Sequence, residues 1–291
     1  MNFINYTKYF FLLLFKKVFN FLWLIRITLI IPIFFAGICS SRLCKGRYSD
    51  FYLLLIIISV CCLASGGFVL NDILDRDKDL IDKPRRPIPS GRIKKYEAYL
   101  ISIFLILLAL FFSILSQHYL VIAEVLIGIF LVLIYSSISK NIGWLGNLIT
   151  AVLAVLPWLM PASYLNNFNA IIAPIISTFL LVFSREILLD IQDIQGDRLS
   201  GFKTLPILLG SRPSAWISTS LLFFVSIGLL ILAHIEHYSF VAKCFAQFGI
   251  FVPALIISFI ILTQKGKHWI KIAGHLGKFQ FVCGILVWWL K

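Results

Sequence analysis

The stretch NDILDRDKDLIDKPRRPIPSGR, residues 71–92, directly follows FYLLLIIISVCCLASGGFVL, a run of twenty uncharged residues at 51–70. The chain has only 13 acidic residues, and five of them lie within residues 72–82. A basic, proline-rich segment comes next. An apolar run of bilayer-spanning length that ends in clustered charge predicts a membrane helix with a polar site at its end.

Composition places the whole chain in the membrane. Its 291 residues are 60% hydrophobic and 13% charged, with a mean hydropathy of +0.96. Uncharged runs of about 20 residues recur along the sequence, and they do not alternate as barrel strands do. We therefore predict an all-α polytopic membrane protein with nine transmembrane helices, at residues 21–41, 51–72, 98–117, 119–138, 145–164, 168–188, 213–233, 242–263 and 272–290.

No soluble domain or long linker interrupts these runs, so a single membrane domain is predicted over residues 1–291. Residues 1–19 contain a short apolar patch flanked by lysines, which favours an interfacial N-terminal helix over a cleaved signal peptide. None of the six cysteines has zinc-ligand spacing, so they are interpreted as small buried hydrophobes.

The positive charges predict the orientation of the chain. With the N-terminus inside, the inner segments carry 20 of the 26 Lys and Arg residues. The acidic segments after residues 71 and 185 then lie on one face, the cytoplasmic side of a bacterial or archaeal membrane. The net charge of +13 is thus a topology signal and an attraction for phosphorylated substrates, and it does not indicate nucleic-acid binding.

The acidic segment has a second copy. REILLDIQDIQGDRLSGFKTLPI begins at residue 185, and its Asp190, Asp193 and Asp197 repeat the i, i+3, i+7 spacing of Asp72, Asp75 and Asp79. This spacing puts three carboxylates on one side of a helix or helix end, where they repel one another unless a cation neutralises them. Asp77 and Asp82 fall off that face and are expected to pair locally.

A solvated acidic loop is the alternative, but it does not account for two copies with identical spacing in an acid-poor chain. Carboxylate and amide oxygens are hard ligands that suit Mg²⁺, which usually shares its coordination with substrate phosphates. Two facing aspartate clusters can thus hold a diphosphate through metal ions. The basic residues around the motifs fit that use, and several also serve as topology signals. Arg26, a cation inside the first span, predicts either a site residue or a side chain that reaches the surface.

The motifs NDxxDxxxD, RPIPSGRI and DxxDxxxD resemble those of the UbiA superfamily of intramembrane prenyltransferases, over about residues 20–290. Within that superfamily they are most similar to the geranylgeranylglycerol-phosphate geranylgeranyltransferase branch (digeranylgeranylglyceryl phosphate synthases). The resemblance implies a helical bundle around a central cavity, with Mg²⁺ as cofactor. The substrates would be a polyprenyl diphosphate and a lipophilic acceptor, a prenylglycerol-phosphate-like lipid or an aromatic ring.

The resemblance also implies roles for particular residues. The metal ligands and the residues that complete their shell would be Asn71, Asp72, Asp75, Asp79, Asp190, Asp193 and Asp197. YSSISKNIGWLGN, residues 135–147, is similar to the family's diphosphate-binding segment. Diphosphate would then contact Arg26, Arg86, Tyr135, Lys140, Asn147 and Lys203. The residues expected to act directly in catalysis are Asp75, Asp193, Tyr135 and Lys140.

Other functions stay open at this point. The same motifs serve quinone-type or chlorophyll-type prenyltransferases and UbiA-type terpene cyclases, because the motifs act on the diphosphate donor. A divalent-cation or phosphate transporter is an alternative from another class, although transport sites lie near the bilayer midplane and these acids gather at one face. Glu124, inside the fourth span, is expected to make an interhelical hydrogen bond, and Pro157 and Pro161 are expected to bend the fifth span.

Overall fold

The computed structural model describes residues 15–45, 51–138, 142–199, 201–263 and 267–291. Within those ranges the chain is helical and contains no strand. Its helices are α1 (Phe15–Leu24), α2 (Ile27–Leu43), α3 (Phe51–Leu74), α4 (Arg76–Asp82), α5 (Lys95–Leu115), α6 (Tyr119–Ile138), α7 (Gly143–Leu153), α8 (Leu156–Leu165), α9 (Ile172–Leu199), α10 (Leu205–Leu208), α11 (Ser211–Ile235), α12 (Phe240–Cys244), α13 (Val252–Leu262) and α14 (Lys267–Trp289). A 3₁₀ turn precedes α9 at Phe168–Ile171, and a π-helical segment, Phe245–Phe251, joins α12 to α13.

Six helical segments of the described chain are long and apolar enough to cross a membrane, and two bent helix pairs pass the same test. The bent pairs are α1 with α2, at 60°, and α7 with α8, at 40°. The second bend confirms the expected distortion of the fifth span, because it immediately precedes Pro157 near the start of α8. The helix α6 is apolar but shorter, over Tyr119–Tyr135. The protein is thus an integral membrane protein with an all-α fold.

The two helices that carry the acidic motifs are packed in the same way. The first, α3, packs chiefly against α5, and the second, α9, packs against α11. Ser102 Oγ in α5 donates to Gly66 O in α3 at 2.8 Å. Ser184 and Ser218 donate to each other's carbonyl oxygens between α9 and α11, both at 2.8 Å. Serine hydroxyls that bond across helices are a common way to join apolar helices.

A glycine allows the close approach of α3 and α5. A Cβ atom on Gly66 would lie 2.8 Å from Ile106 Cγ1 and 3.2 Å from the Ser102 carbonyl oxygen. The bundle therefore brings backbone against backbone at this crossing, which holds α3 and the acidic motif at its end in a defined position.

A small apolar cluster anchors the basic segment to the same end of the bundle. Leu24, Val69, Ile73, Ile88 and Ala98 are all buried together. They come from α1, α3, the segment after α4, and α5. This packing folds residues 83–94 back over the end of α3, so the cations of that segment lie beside the first acidic motif.

Candidate functional site

The first acidic motif spans the junction between α3 and α4. Asp75 lies between the two helices, at φ −85° and ψ 7°. Helical hydrogen bonds nevertheless continue through it, from Asp75 N to Asn71 O at 2.9 Å and from Asp79 N to Asp75 O at 2.8 Å. The carboxylates of this motif therefore keep nearly helical spacing across a break that their sequence spacing does not reveal.

Two arginines hold the buried acids of this motif. Asp72 and Asp79 are only 3% and 1% exposed. Arg86 Nη1 donates to Asp72 Oδ1 at 3.0 Å and to Asp79 Oδ2 at 2.6 Å. Burial raises the pKa of Asp79 above its ordinary value, and the charges of Arg86 and Lys83 oppose that shift. Carboxylates this deeply buried need such cationic partners, and Arg86 supplies one to both.

Arg26 reaches the same motif from the bend between α1 and α2. Its Nη2 donates to Asp72 Oδ1, and its guanidinium lies 5.0 Å from the centre of the Phe68 ring. Its backbone has left-handed dihedral angles, φ 54° and ψ 52°. A non-glycine residue held in that region is uncommon and occurs often at functional sites. Of the two orientations expected for Arg26, the structure shows the inward-facing one, and its role at the site stays a prediction.

The second motif lies on one continuous helix. Asp190, Asp193 and Asp197 all belong to α9. Asn147 Nδ2 in α7 donates to Asp190 Oδ2 at 2.7 Å, and Asp197 is fully buried. Asn147 was expected to contact diphosphate. That contact stays a prediction, and the hydrogen bond shows that Asn147 also positions a carboxylate of the second motif.

The two motifs meet through Lys83, which directly follows α4. Its Nζ lies 2.8 Å from Asp193 Oδ2 in α9. Tyr135, near the end of α6, lies within electrostatic range of Asp75 in the first motif and Asp190 in the second. The structure thus brings together two segments more than a hundred residues apart, as the repeated spacing predicts.

The fit of a metal to this site depends on its donor atoms. Within the described ranges, no three His, Cys, Asp or Glu side chains come close enough to hold a metal ion on their own. The donor chemistry suits Mg²⁺, because hard oxygen atoms are supplied by both motifs. In addition, Asn71 Oδ1 is buried and has no hydrogen-bond partner among the described residues. The predicted ligand set therefore remains a prediction, and the donor atoms at the site are compatible with it.

The remaining candidates are placed as follows. Lys203 has an exposed side chain, and its carbonyl oxygen accepts a hydrogen bond from Gly143 N at 3.0 Å. That contact brings the start of α7 beside the segment after the second motif. Lys140 lies outside the described residues.

The two acids off the motif's spacing were expected to pair locally. Asp77 Oδ1 lies 3.5 Å from Arg76 Nη1 and its side chain is 91% exposed, which confirms local pairing for Asp77. The side chain of Asp82 lies outside the described part.

Other contacts bear on residues in the apolar helices. Ser163 Oγ in α8 donates to Glu124 Oε1 in α6, which confirms the interhelical hydrogen bond expected for Glu124.

The sequence did not single out Lys83, Arg185 or Lys278. The rule that pointed to Arg26, a charge inside an apolar helix, would also have found Arg185 in α9 and Lys278 in α14.

These features define an integral membrane protein with a paired acidic and basic site at one end of a helical bundle. The sequence matches the UbiA prenyltransferase family over residues 17–273. It is 34% identical over 219 residues to a digeranylgeranylglyceryl phosphate synthase of Sulfolobus acidocaldarius, covering 74% of this chain and 76% of that protein. The chain therefore belongs to the UbiA prenyltransferase family, and its enzyme class is prenyltransferase.

Solved structures show the same fold. A digeranylgeranylglyceryl phosphate synthase structure superposes with a TM-score of 0.71 at 24% identity, covering 94% of this chain and 97% of that one. A UbiA homologue from Archaeoglobus fulgidus bound to GPP and Mg²⁺ superposes with a TM-score of 0.63 at 20% identity, covering 92% of this chain and 99% of that one.

Proposed function

We propose that this protein transfers a prenyl group from a polyprenyl diphosphate to a lipophilic acceptor within the membrane, with Mg²⁺ as cofactor. One observation carries the proposal: the ion pair between Lys83 and Asp193, 2.8 Å long, joins the two aspartate motifs. A donor diphosphate between the motifs would be in reach of carboxylates and cations from both. A solved UbiA homologue binds GPP and Mg²⁺ on the same fold, which supports this use of the site.

The proposed ligand set is Asn71, Asp72, Asp75, Asp79, Asp190, Asp193 and Asp197. These residues would hold Mg²⁺, which when bound would supply positive charge against the charge that develops on the departing diphosphate. Asn147 orients Asp190 through its hydrogen bond of 2.7 Å. Such support of a ligand fixes its direction and is worth about 10–100-fold in metal affinity or activity.

The chain's own cations act on the leaving group. Arg26, Lys83 and Arg86 lie at the acidic motifs and can bind diphosphate oxygens. Guanidinium groups bind phosphate oxygens in a paired geometry, so Arg26 and Arg86 are suited to this role. Breaking the allylic C–O bond leaves a prenyl cation, and the apolar helices exclude the water that would otherwise capture it. Tyr135 and Lys140, in the segment that is similar to the family's diphosphate-binding segment, are proposed to contact the diphosphate.

The acceptor is proposed to be a prenylglycerol-phosphate-like lipid. Support comes from the relative named digeranylgeranylglyceryl phosphate synthase, of which this chain spans 76% at 34% identity. After diphosphate has left, an acceptor hydroxyl would attack the allylic cation, lose its proton and form an ether.

We further propose nine transmembrane spans in one domain, with the site on the cytoplasmic side. The six long apolar helices, the two bent pairs and α6 correspond to the nine predicted spans one by one. The orientation is supported by the 20 of 26 basic residues that fall in the inner segments.

The test uses purified protein in lipid nanodiscs with radiolabelled geranylgeranyl diphosphate, Mg²⁺ and a set of acceptors. The set contains a prenylglycerol phosphate, its dephosphorylated alcohol and 4-hydroxybenzoate. We expect Mg²⁺-dependent label in an ether product. Label in the aromatic compound alone would reassign the acceptor, and ion flux without an organic product would contradict a transferase.

A further inference from the structure

Two cations lie inside apolar helices, away from the aspartate motifs. Arg185 is near the middle of the 28-residue helix α9, and Lys278 is near the middle of the 23-residue helix α14. The two helices pack against each other. Charged side chains in membrane-spanning helices are costly, so they occur where a partner or a ligand neutralises them.

The packing brings these two residues to the same contact. A Cβ atom on Gly277 would lie 3.6 Å from Arg185 Cγ, so the Arg185 stem crosses α14 beside Gly277. A Cβ atom on Gly274 would lie 3.5 Å from Gln192 Oε1, also in α9. Lys278 is four residues after Gly274 and next to Gly277, which places it on the side of α14 that meets α9.

Among the described residues, neither cation has polar partners for all of its donor groups. Arg185 Nη1 donates to Glu186 Oε1 at 2.8 Å, but its buried Nε has no hydrogen-bond partner among the described residues. In the part of the chain that the structure describes, no carboxylate forms an ion pair with Lys278. The charges that act on Lys278 are those of other cations, and the strongest of them is Arg185.

A small pocket lies at this contact. It is lined by Arg185, Gly277 and Gln280, together with Ser184 and four apolar residues, Leu181, Leu188, Leu222 and Ile257. Its enclosed part has room for about one water molecule, so a phosphate would bind outside it. The side chain of Lys278 does not line the pocket and is exposed. Two neighbouring cations and an unpaired N–H donor are groups that bind a phosphate.

The position of this pair distinguishes it from the diphosphate site. Arg185 precedes Asp190 by five residues, which places it about 7.5 Å further along α9 toward the membrane interior. Lys278 nevertheless lies within electrostatic range of Arg26, Arg86 and Lys83. A phosphate bound here would therefore be close to the donor site and separate from it.

We propose that Arg185 and Lys278 form a second phosphate site, which binds the phosphomonoester headgroup of the acceptor lipid. This inference rests on the proposed function and names the acceptor class: an anionic lipid alcohol. Binding the headgroup at this pair would hold the acceptor hydroxyl near the allylic carbon of the donor. It would also reject neutral acceptors, because without an anion the two cations repel each other in a medium of low dielectric constant.

The experiment measures steady-state kinetics in nanodiscs with geranylgeranyl diphosphate and either a prenylglycerol phosphate or its dephosphorylated alcohol. Arg185→Gln and Lys278→Gln should each raise KM for the phosphorylated acceptor about tenfold or more. KM for the donor should change less than about twofold, which is expected when a substrate's own contacts are kept. Lys278→Arg should restore most of the acceptor affinity, since it keeps the positive charge.

The matched control is Lys271→Gln, an exposed cation two turns earlier on α14. It should leave both KM values unchanged. A second readout needs no donor: prenylglycerol phosphate alone should raise the thermal unfolding midpoint of the wild type, and Lys278→Gln should abolish that shift. This readout also shows that the variant is folded.

Three results overturn the assignment. An equal rise in KM for the donor would place the pair in the diphosphate site. Unchanged acceptor KM in both variants would leave the pair a packing feature. An equal loss with the phosphorylated and the neutral acceptor would mean that the pair does not recognise phosphate. Failure of the proposed function is separate, because the wild type itself would then transfer label to neither acceptor.

Discussion

The two aspartate motifs have identical spacing and different support. The first crosses the junction of α3 and α4, and its acids Asp72 and Asp79 are almost fully buried. Two arginines from separate segments bind it. The second lies on the unbroken helix α9, where Lys83 binds Asp193 with 36% of the lysine side chain exposed.

This difference indicates that the two motifs contribute differently to stability and to binding. Arginines with 22–23% of their side chains exposed hold the first motif in a defined geometry. The ammonium of Lys83 is a flexible single charge at the surface of the site, so it can change partners at little cost. We therefore expect the first motif to contribute both stability and binding, and the second to contribute mainly to binding and catalysis.

The largest expected effect is on activity. Asp75→Asn or Asp193→Asn removes a proposed ligand from either motif, and prenyl transfer should fall more than about 100-fold, beyond the loss typical of supporting residues. Asp77→Asn is the matched control, because its side chain is 91% exposed and lies off the motif's spacing, next to Arg76. Activity of Asp193→Asn close to that of the control would remove the second motif from the site.

The second prediction concerns stability at the first motif. Arg86→Gln leaves the buried Asp79 without its guanidinium, which should lower the free energy of unfolding by about 3 kcal/mol. Arg85→Gln alters the neighbouring exposed arginine and should have no measurable effect. Thermal unfolding in detergent, followed by circular dichroism, compares the two variants. Equal midpoints would show that Arg86 does not hold the motif.

A smaller effect is expected at the bend before α2. Arg26→Ala and Arg26→Gly both remove the contact with Asp72, but only glycine adopts φ 54° without strain. The glycine variant should therefore be the more stable of the two by about 1 kcal/mol. Because both variants lack the guanidinium, the difference in stability between them measures the backbone strain alone. An alanine variant that unfolds at the same temperature as the glycine variant would mean that the left-handed backbone is not retained.

The smallest effect on stability is expected at the second motif. Lys83→Gln breaks a partly exposed ion pair and should lower the free energy of unfolding by at most about 1 kcal/mol, less at high salt. KM for the donor diphosphate should nevertheless rise, because Lys83 is proposed to bind it. A destabilisation as large as that of Arg86→Gln would show that the two motifs do not differ in their contribution to stability.

Several features of the site could be predicted from the sequence. The repeated spacing of acids at two span ends predicted that residues 71–79 and 190–197 face each other, and Lys83, which follows the first motif, forms an ion pair with Asp193 in the second. Arg26 was identified because a cation inside an apolar run is costly, and the structure pairs it with Asp72. Glu124 was found by the same reasoning and binds Ser163.

Other features depended on which residues become neighbours in space. The sequence spacing of the acids does not distinguish the helix break at Asp75 from the continuous helix at Asp193, because the chain keeps helical hydrogen bonds at both positions. The hydrogen bond from Asn147 to Asp190 depends on how α7 crosses α9, and the predicted contact of Asn147 with diphosphate stays a prediction. The proposed pairing of Arg185 with Lys278 depends on the packing of α9 against the glycines of α14.

The membrane class, the apolar helices and the supply of hard oxygen ligands follow from the sequence alone, which also predicts a cytoplasmic placement for both motifs. These properties depend on hydropathy and local spacing, which a single segment carries. Which cation binds which carboxylate depends on helix packing, because ion pairs such as Arg26–Asp72 join residues distant in the chain. Helix packing in a membrane selects those partners through small residues and interhelical hydrogen bonds, and these act only between segments already in contact.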